Sequence, residues 1–272
     1  MNIYTLNVGQ GQFVVVTGAT EGFIIDTYVP LNPTIDIINV KSALAKILQG
    51  KELSGLIITG FDSDHFNEVG LRIALNKYRP NWMMYPKYFK ETQNATTCFS
   101  VIKQFEAQKT FTRVAVSLSQ NDSRFYTKLS KEFQFEVFSP HSADMSSSNN
   151  CSLVCKVREL STCATYLITG DTENDRWGSI VYYFGDNLAS DVLAAPHHGS
   201  KNGISSEALA KIRPKEVLIS AGVNNQYGHP DSEATNLFTR YTDRCYSTSY
   251  GGGQSISSVV TTQGISSSKF TV

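Results

Sequence analysis

Long apolar runs are missing from this sequence. No stretch of its 272 residues approaches the about 20 consecutive apolar residues of a membrane-spanning helix. The first residues, MNIYTLNVGQGQ, lack the basic and long apolar regions of a secretory signal peptide. We therefore expect a cytoplasmic protein that has no membrane partner.

The sequence also has no excess of basic over acidic residues. Lys and Arg together number 24, as do Asp and Glu, so the formal net charge at pH 7 is zero. Nothing in this balance provides an overall positive field that would hold nucleic acid or an acidic membrane. Any anionic ligand must therefore be held locally, in a groove or with the help of a partner.

Cysteine is scarce. The five cysteines are odd in number and show no CxxC spacing. This pattern excludes a complete disulfide framework and argues against a zinc site made of thiolates. We interpret the cysteines as buried free thiols.

Short apolar segments with strand and helix periodicity fill most of the chain. Strands are predicted at both ends of each half, for example QFVVVT and LSGLIIT, and helices between them, for example VKSALAKILQ. This order predicts two stacked sheets covered by helices. Because no linker rich in proline or charge separates the halves, we predict one domain over residues 1–272, with a loop at the serine-rich stretch 146–148.

Carboxylates and histidines follow the predicted strands at the points where these strands end. A carboxylate such as Asp171, at the end of the apolar segment ATYLITG, is costly to bury without a cationic partner. Ligands collect beyond the carboxyl ends of strands in layered α/β folds, so these side chains are expected to converge. The candidates are Asp62, Asp64, His65, Asp171, His197 and His198.

The chemistry of these candidates indicates a metal. Oxygen and imidazole ligands without thiolate suit Zn²⁺, Mn²⁺ or Fe. Each motif alone has a simpler interpretation, since Asp-x-Asp-His can cap a helix and His-His can lie in a surface loop. Their order and their shared position at strand ends favour the metal site.

Seven segments in this order resemble the metallo-β-lactamase superfamily: LNVGQGQ, IIDT, TGFDSDH, NNCSLVCKV, YLITGD, APHHGS and NNQYGHP. The resemblance is in particular to the ComEC-like hydrolase domain of the competence DNA-uptake channel, and it runs from near residue 3 to near residue 260. It implies an αββα four-layer sandwich with a metal site at one edge.

The resemblance also implies roles for individual residues. Asp64 and His65 would bind the second of two metals, and Asp171 would bridge both. One of His197 and His198 would complete the second site, and the residues leave open which one. His229, in YGHP, would reach the substrate phosphate, so that Asp64 and His229 are the predicted catalytic residues.

One position departs from the pattern of the superfamily. The loop motif normally opens with a histidine, and here Gly60 stands in that place. The first metal would then retain only Asp62 and the bridging Asp171, which predicts a weak, water-rich or empty first site. We therefore expect one or two divalent ions, Zn²⁺ or Mn²⁺.

The resemblance, together with these residues, implies a metal-dependent hydrolase, in the first place a phosphodiesterase or nuclease acting on DNA, RNA or a nucleotide. A single ion can lower the pKa of bound water from about 15.7 towards about 7. His229 could bind the phosphate or protonate the leaving alkoxide. Ser200, Lys201 and Asn225 could donate to phosphate oxygens, although a solvated loop lysine is the favoured interpretation of Lys201.

Two alternatives remain at the level of sequence. Gly60 motivates a catalytically impaired relative that serves as a binding or regulatory subunit of a multi-protein defence or stress system, with a protein partner encoded nearby. Hydrolysis of a β-lactam or thioester fits the superfamily but not the YGHP segment, so we rank it last.

Overall fold

The computed structural model describes residues 1–30, 40–88, 91–119, 121–142 and 147–272. Its strands are β1 (Asn2–Thr5), β2 (Val14–Thr17), β3 (Glu21–Ile25), β4 (Glu52–Ile57), β5 (Trp82–Pro86), β6 (Thr112–Val116), β7 (Arg124–Tyr126), β8 (Phe133–Ser139), β9 (Val154–Glu159), β10 (Thr165–Ile168), β11 (Val192–Ala194), β12 (Glu216–Ile219), β13 (Cys245–Ser247), β14 (Ser255–Thr261) and β15 (Gly264–Phe270). Its α-helices are α1 (Val40–Ile47), α2 (Glu68–Ile73), α3 (Gln93–Glu106), α4 (Asn174–Phe184), α5 (Ser206–Ile212) and α6 (Ser232–Phe238).

The described strands form two sheets. The first has the order β15-β14-β1-β2-β3-β4-β5-β6, and the second has the order β13-β12-β11-β10-β9-β8-β7. Strands β3 to β6 run parallel to one another, and so do β10 to β13. The parallel part of each sheet therefore sends several strand ends to the same edge.

Alternating side chains of the strands separate three apolar cores. In β2, Val14 and Val16 face the core between the sheets, whereas Val15 faces the core beneath α1, α2 and α3. Residues Phe23 and Ile24 of β3 divide in the same way. A third core lies between the second sheet and α4, α5 and α6. Since a strand exposes successive side chains to opposite faces, this pattern produces the layers α-β-β-α and confirms the predicted fold.

The helices cover the sheets through one apolar stripe each. In α1 the buried residues are Val40, Ala43, Leu44 and Ile47, which is the spacing of a single helix face. In the described part of the chain, no helix combines the length and the apolar character needed to cross a bilayer.

Four strands form where the sequence pattern had predicted none, namely β6, β7, β8 and β15. The segment of β8, FQFEVFS, begins with alternating apolar and polar residues, which is a weak signal over so few positions. Strands β6, β7 and β15 are edge strands with largely exposed side chains, so their local pattern is weak. At the serine-rich stretch, residue 146 lies outside the described residues, and residues 148–150 form a turn.

Candidate metal centre

Three strand ends from the two sheets bring four side chains together. Asp64 and His65 lie in the loop that follows β4, Asp171 follows β10, and His198 follows β11. One ligand atom from each of these residues lies within 4.8 Å of the others. His65 Nε2 is 3.0 Å from Asp171 Oδ1, and His198 Nε2 is 3.5 Å from Asp64 Oδ2 and 3.7 Å from Asp171 Oδ1.

Close contact between the loops of the two sheets depends on Gly170. This residue takes a positive φ of 52°, and a Cβ at its position would lie 2.9 Å from the Thr59 side chain and 3.0 Å from that of Ser152. Only glycine adopts this conformation easily and leaves the space. The Ser152 hydroxyl then accepts a hydrogen bond from the backbone N–H of Asp171, which fixes the start of the next loop.

A buried carboxylate orients His65. Asp26 Oδ2 is 2.7 Å from His65 Nδ1, and Asp26 also accepts hydrogen bonds from the backbone N–H and the hydroxyl of Thr59. His198 is oriented in the same way by the backbone carbonyl of Ser220, 2.8 Å from its Nδ1. With each Nδ1 engaged, both rings direct Nε2 towards the centre of the cluster.

The centre of the cluster has the properties of a cation site. The buried atoms His65 Nε2, Asp171 Oδ1 and His198 Nε2 have no hydrogen bond of acceptable geometry, although they lie close together. Burial acts to lower the pKa of His65, but the carboxylates of Asp171, Asp26 and Asp64 raise it well above its usual value. The carboxylates therefore favour positive charge at this point. Two carboxylates and two imidazoles are donors that suit a divalent transition-metal ion.

The cluster lies at the wall of a polar cavity of about 470 Å³. Asp62, Asn149, His197 and His229 also line this cavity. Burial lowers the pKa of the half-buried His229, and His197 and His198 lower it further. The ring of His229 is therefore neutral near pH 7 and offers one donor and one acceptor nitrogen.

The chain is similar to known competence proteins over part of their length. No model of a known protein family matches the chain. ComE operon protein 3 from Bacillus subtilis (strain 168) is 30% identical over 202 residues, which are 74% of this chain and 24% of that protein. Competence protein ComA from Neisseria gonorrhoeae is 35% identical over 82 residues, 30% of this chain and 12% of that protein. The matched regions thus span a quarter or less of these relatives.

Solved structures share the fold across nearly the whole chain. Igni18, a metallo hydrolase from Ignicoccus hospitalis, superimposes with a TM-score of 0.57 at 13% identity, covering 94% of this chain and 98% of that one. Yeast PDE1 superimposes with a TM-score of 0.52 at 10% identity, covering 90% and 97%. The chain has the metallo-β-lactamase fold and is related to ComEC-like competence proteins. At these identities the structural neighbours establish the fold alone.

The histidine doublet of this metallo-β-lactamase fold is divided between two environments. His197 and His198 have positive φ angles of 50° and 55°, in a turn where adjacent side chains diverge. The side chain of His198 is 2% exposed and belongs to the cluster. The side chain of His197 is 24% exposed, and its Nδ1 lies 3.2 Å from Glu173 Oε1. The structure therefore brings His198, and not His197, to the other three residues.

The region predicted for a first metal has few side chains that could bind an ion. Asp62 lines the cavity but lies outside the group of four, which is the group among the described residues that could hold a metal ion. Asn149 donates to Glu173 Oε1 at 3.1 Å, and a Cβ built on Gly60 would meet nothing within 4 Å. The described residues thus present one group of four side chains that could hold an ion, with open space at Gly60.

Two of the residues considered as phosphate donors, Asn225 and Lys201, are not placed to donate to a phosphate in the cavity. The carboxamide nitrogen of Asn225 donates to the backbone carbonyls of Gly222 and His229, so its N–H groups are engaged. Lys201 is exposed and does not line the cavity, as its interpretation as a solvated lysine predicted.

Asp26 is the site residue that sequence reasoning missed. The segment IIDT contributed to the resemblance, but nothing in the sequence connected its aspartate to His65, 39 positions later. Its signal was a carboxylate at the end of an apolar strand, the same signal that drew attention to Asp171.

Replacing Asp26 by asparagine should weaken metal binding without unfolding the protein. A neutral carboxamide orients His65 less well and lowers the basicity of its ring, and loss of such a partner typically costs about 10- to 100-fold in affinity. Calorimetric titration with Zn²⁺ measures this change. Asp191→Asn is the matched control, because Asp191 also accepts hydrogen bonds from a threonine N–H and hydroxyl, away from the site. Equal affinities of the two variants would contradict the role given to Asp26.

Proposed function

We propose that this protein is a metal-dependent hydrolase of phosphodiesters, using Zn²⁺ or Mn²⁺ and acting on a nucleic acid or a nucleotide. The observation that carries the proposal is the group of four buried or half-buried ligands at the wall of a polar cavity that also presents His229. The similarity to ComE operon protein 3 and to competence protein ComA supports a nucleic acid or nucleotide as the substrate.

Asp64, His65, Asp171 and His198 would hold the ion. When bound, such an ion acts as a Lewis acid towards a phosphoryl oxygen and makes a coordinated water more acidic. Burial alone would raise the pKa of Asp64, but His65 and His198 lower it, so this carboxylate stays ionised. Its side chain is 30% exposed, against 10% for Asp171, and it can accept a proton from a nucleophile that enters from the cavity.

His229 would contact the phosphate group or the leaving oxygen. Its Nδ1 has no hydrogen-bond partner, and its ring lines the cavity. The T-shaped contact with His197, with ring centroids 5.6 Å apart, helps to hold the ring in place. A ring nitrogen that carries the proton can donate to a phosphate oxygen or to the alkoxide that leaves.

The test combines metal content with turnover. Protein purified without chelator should contain about one ion per chain by elemental analysis and should hydrolyse bis-p-nitrophenyl phosphate with added Mn²⁺ or Zn²⁺. His229→Asn should keep the metal and lose about 10²- to 10⁴-fold in kcat, the usual contribution of a proton-transfer group. An unchanged kcat would remove His229 from the proposed mechanism, and loss of the metal would assign it to the ligands instead.

A second candidate function is binding or regulation without catalysis, as part of a protein assembly. Gly60 and the sparse surroundings of Asp62 favour it, because a two-ion centre lacks ligands there. This candidate predicts no bound ion and no turnover of bis-p-nitrophenyl phosphate, even when Mn²⁺ or Zn²⁺ is supplied.

A further inference from the structure

An exposed aromatic ring stands at the wall of the cavity. Tyr227 is 60% exposed, and its ring stacks on that of His229 with the centroids 5.9 Å apart and the planes inclined by 20°. Both rings line the cavity that contains the metal cluster. One face of Tyr227 is therefore occupied by a residue of the site, while much of the side chain is left open to a ligand.

The loop that carries Tyr227 is fixed by the side chain of Asn225. Its Oδ1 accepts hydrogen bonds from the backbone N–H groups of Tyr227 and His229, both at 3.1 Å. Its Nδ2 donates to the carbonyl of Gly222 at 2.8 Å and to that of His229. An exposed ring on a backbone held in this way costs little further ordering when a ligand binds.

The cavity is otherwise rich in carboxamides and poor in cationic groups. Among the described residues, neither Lys nor Arg lines it, whereas Asp62, Asp64 and Asp171 do. Gln10 and Gln226 also line it, and the Oε1 of Gln10 accepts from the backbone N–H of Gly222 at 3.1 Å, which leaves its NH₂ group for another partner. Carboxamides pair well with the edges of nucleobases.

These features restrict the substrate. Proteins that hold a nucleic-acid polymer place Lys and Arg along several successive phosphates. Within the cavity, a second phosphate would meet the carboxylates of Asp62 and Asp64 and, among the described residues, no Lys or Arg. The volume of about 470 Å³ lies within the range of small-molecule sites.

We propose that Tyr227 is a stacking platform for the base of a small nucleotide diester, with a single phosphate at the metal cluster, and that the site prefers such a ligand to a polymer. This inference rests on the proposed phosphodiesterase function. The base lies on the open face of Tyr227, carboxamides contact its edge, and the phosphate lies beside His229.

Binding of a product-like probe tests the platform independently of turnover. Adenosine 5′-monophosphate titrated calorimetrically into the metal-loaded protein should bind about 5- to 100-fold more weakly to Tyr227→Ala, the range expected when one stacked base is lost. Tyr227→Phe should restore binding, and ribose 5-phosphate should bind wild type and Tyr227→Ala equally. Tyr182→Ala is the matched control, because Tyr182 is 82% exposed on α4 and does not line the cavity.

The outcomes separate this inference from the proposed function. If wild type hydrolyses bis-p-nitrophenyl phosphate but Tyr227→Ala binds adenosine 5′-monophosphate normally, the platform is overturned and the hydrolase remains. If binding depends on Tyr227 but no diester is hydrolysed, the platform remains and the hydrolase is overturned. A kcat/KM for a single-stranded DNA 20-mer that equals or exceeds the value for a dinucleotide would overturn the preference for a small diester.

Discussion

Asp171→Asn is expected to abolish metal binding and hydrolysis together. Burial would raise the pKa of Asp171, but His65 and His198 lower it, so it is ionised. Its Oδ1 lies between the two imidazoles, 3.0 Å from His65 Nε2 and 3.7 Å from His198 Nε2. Asparagine keeps the size of the side chain and removes the charge. The loss of metal affinity should exceed the about 10- to 100-fold that follows from losing a partner that merely orients a ligand. Elemental analysis and turnover of bis-p-nitrophenyl phosphate, on the same sample, measure both effects.

The histidine doublet provides the control for this prediction. His198→Ala should lose the metal as Asp171→Asn does, whereas His197→Ala should retain it, because only His198 lies in the group of four. Thermal unfolding of the variants distinguishes a lost ligand from a lost fold. Retention of the metal by Asp171→Asn, or its loss from His197→Ala alone, would show that the ligand set is assigned wrongly.

Gly60→His is expected to raise the metal content from about one ion per chain towards two, since it restores a histidine where the superfamily pattern has one. A Cβ at this position would meet nothing within 4 Å, so the substitution needs no repacking there. Asp62 lines the adjoining cavity, and Asp171 is available as a shared carboxylate. Elemental analysis after loading with Zn²⁺ and removal of excess ion measures the stoichiometry.

The control for added histidine is Gly178→His. Gly178 lies in α4, and a Cβ there also meets nothing within 4 Å, but none of the four residues of the metal cluster comes from this helix. This variant should keep the wild-type stoichiometry. An unchanged metal content in Gly60→His would refute the account of the sparse first site, and a second ion in both variants would indicate binding to any added surface histidine.

Local sequence patterns were sufficient to predict most of the helices and strands that form the cores. The helix α1 and the strand β4 have the bounds that the segments VKSALAKILQ and LSGLIIT indicate, within one or two residues, because both bury a regular set of apolar side chains. The edge strand β15 could not be found in this way. Its side chains are largely exposed, so its strand conformation depends on pairing with β14 along its whole length.

The layered fold and the strand-end carboxylates and histidines of the candidate site follow from the order of residues alone. Both depend on short-range patterns, which the order of residues records directly. The tertiary structure alone decided that His198 rather than His197 joins the cluster, and that Asp26 orients His65. The physical reason is that these choices depend on backbone angles in two loops and on the approach of strands from different sheets, which are set only when the cores have packed.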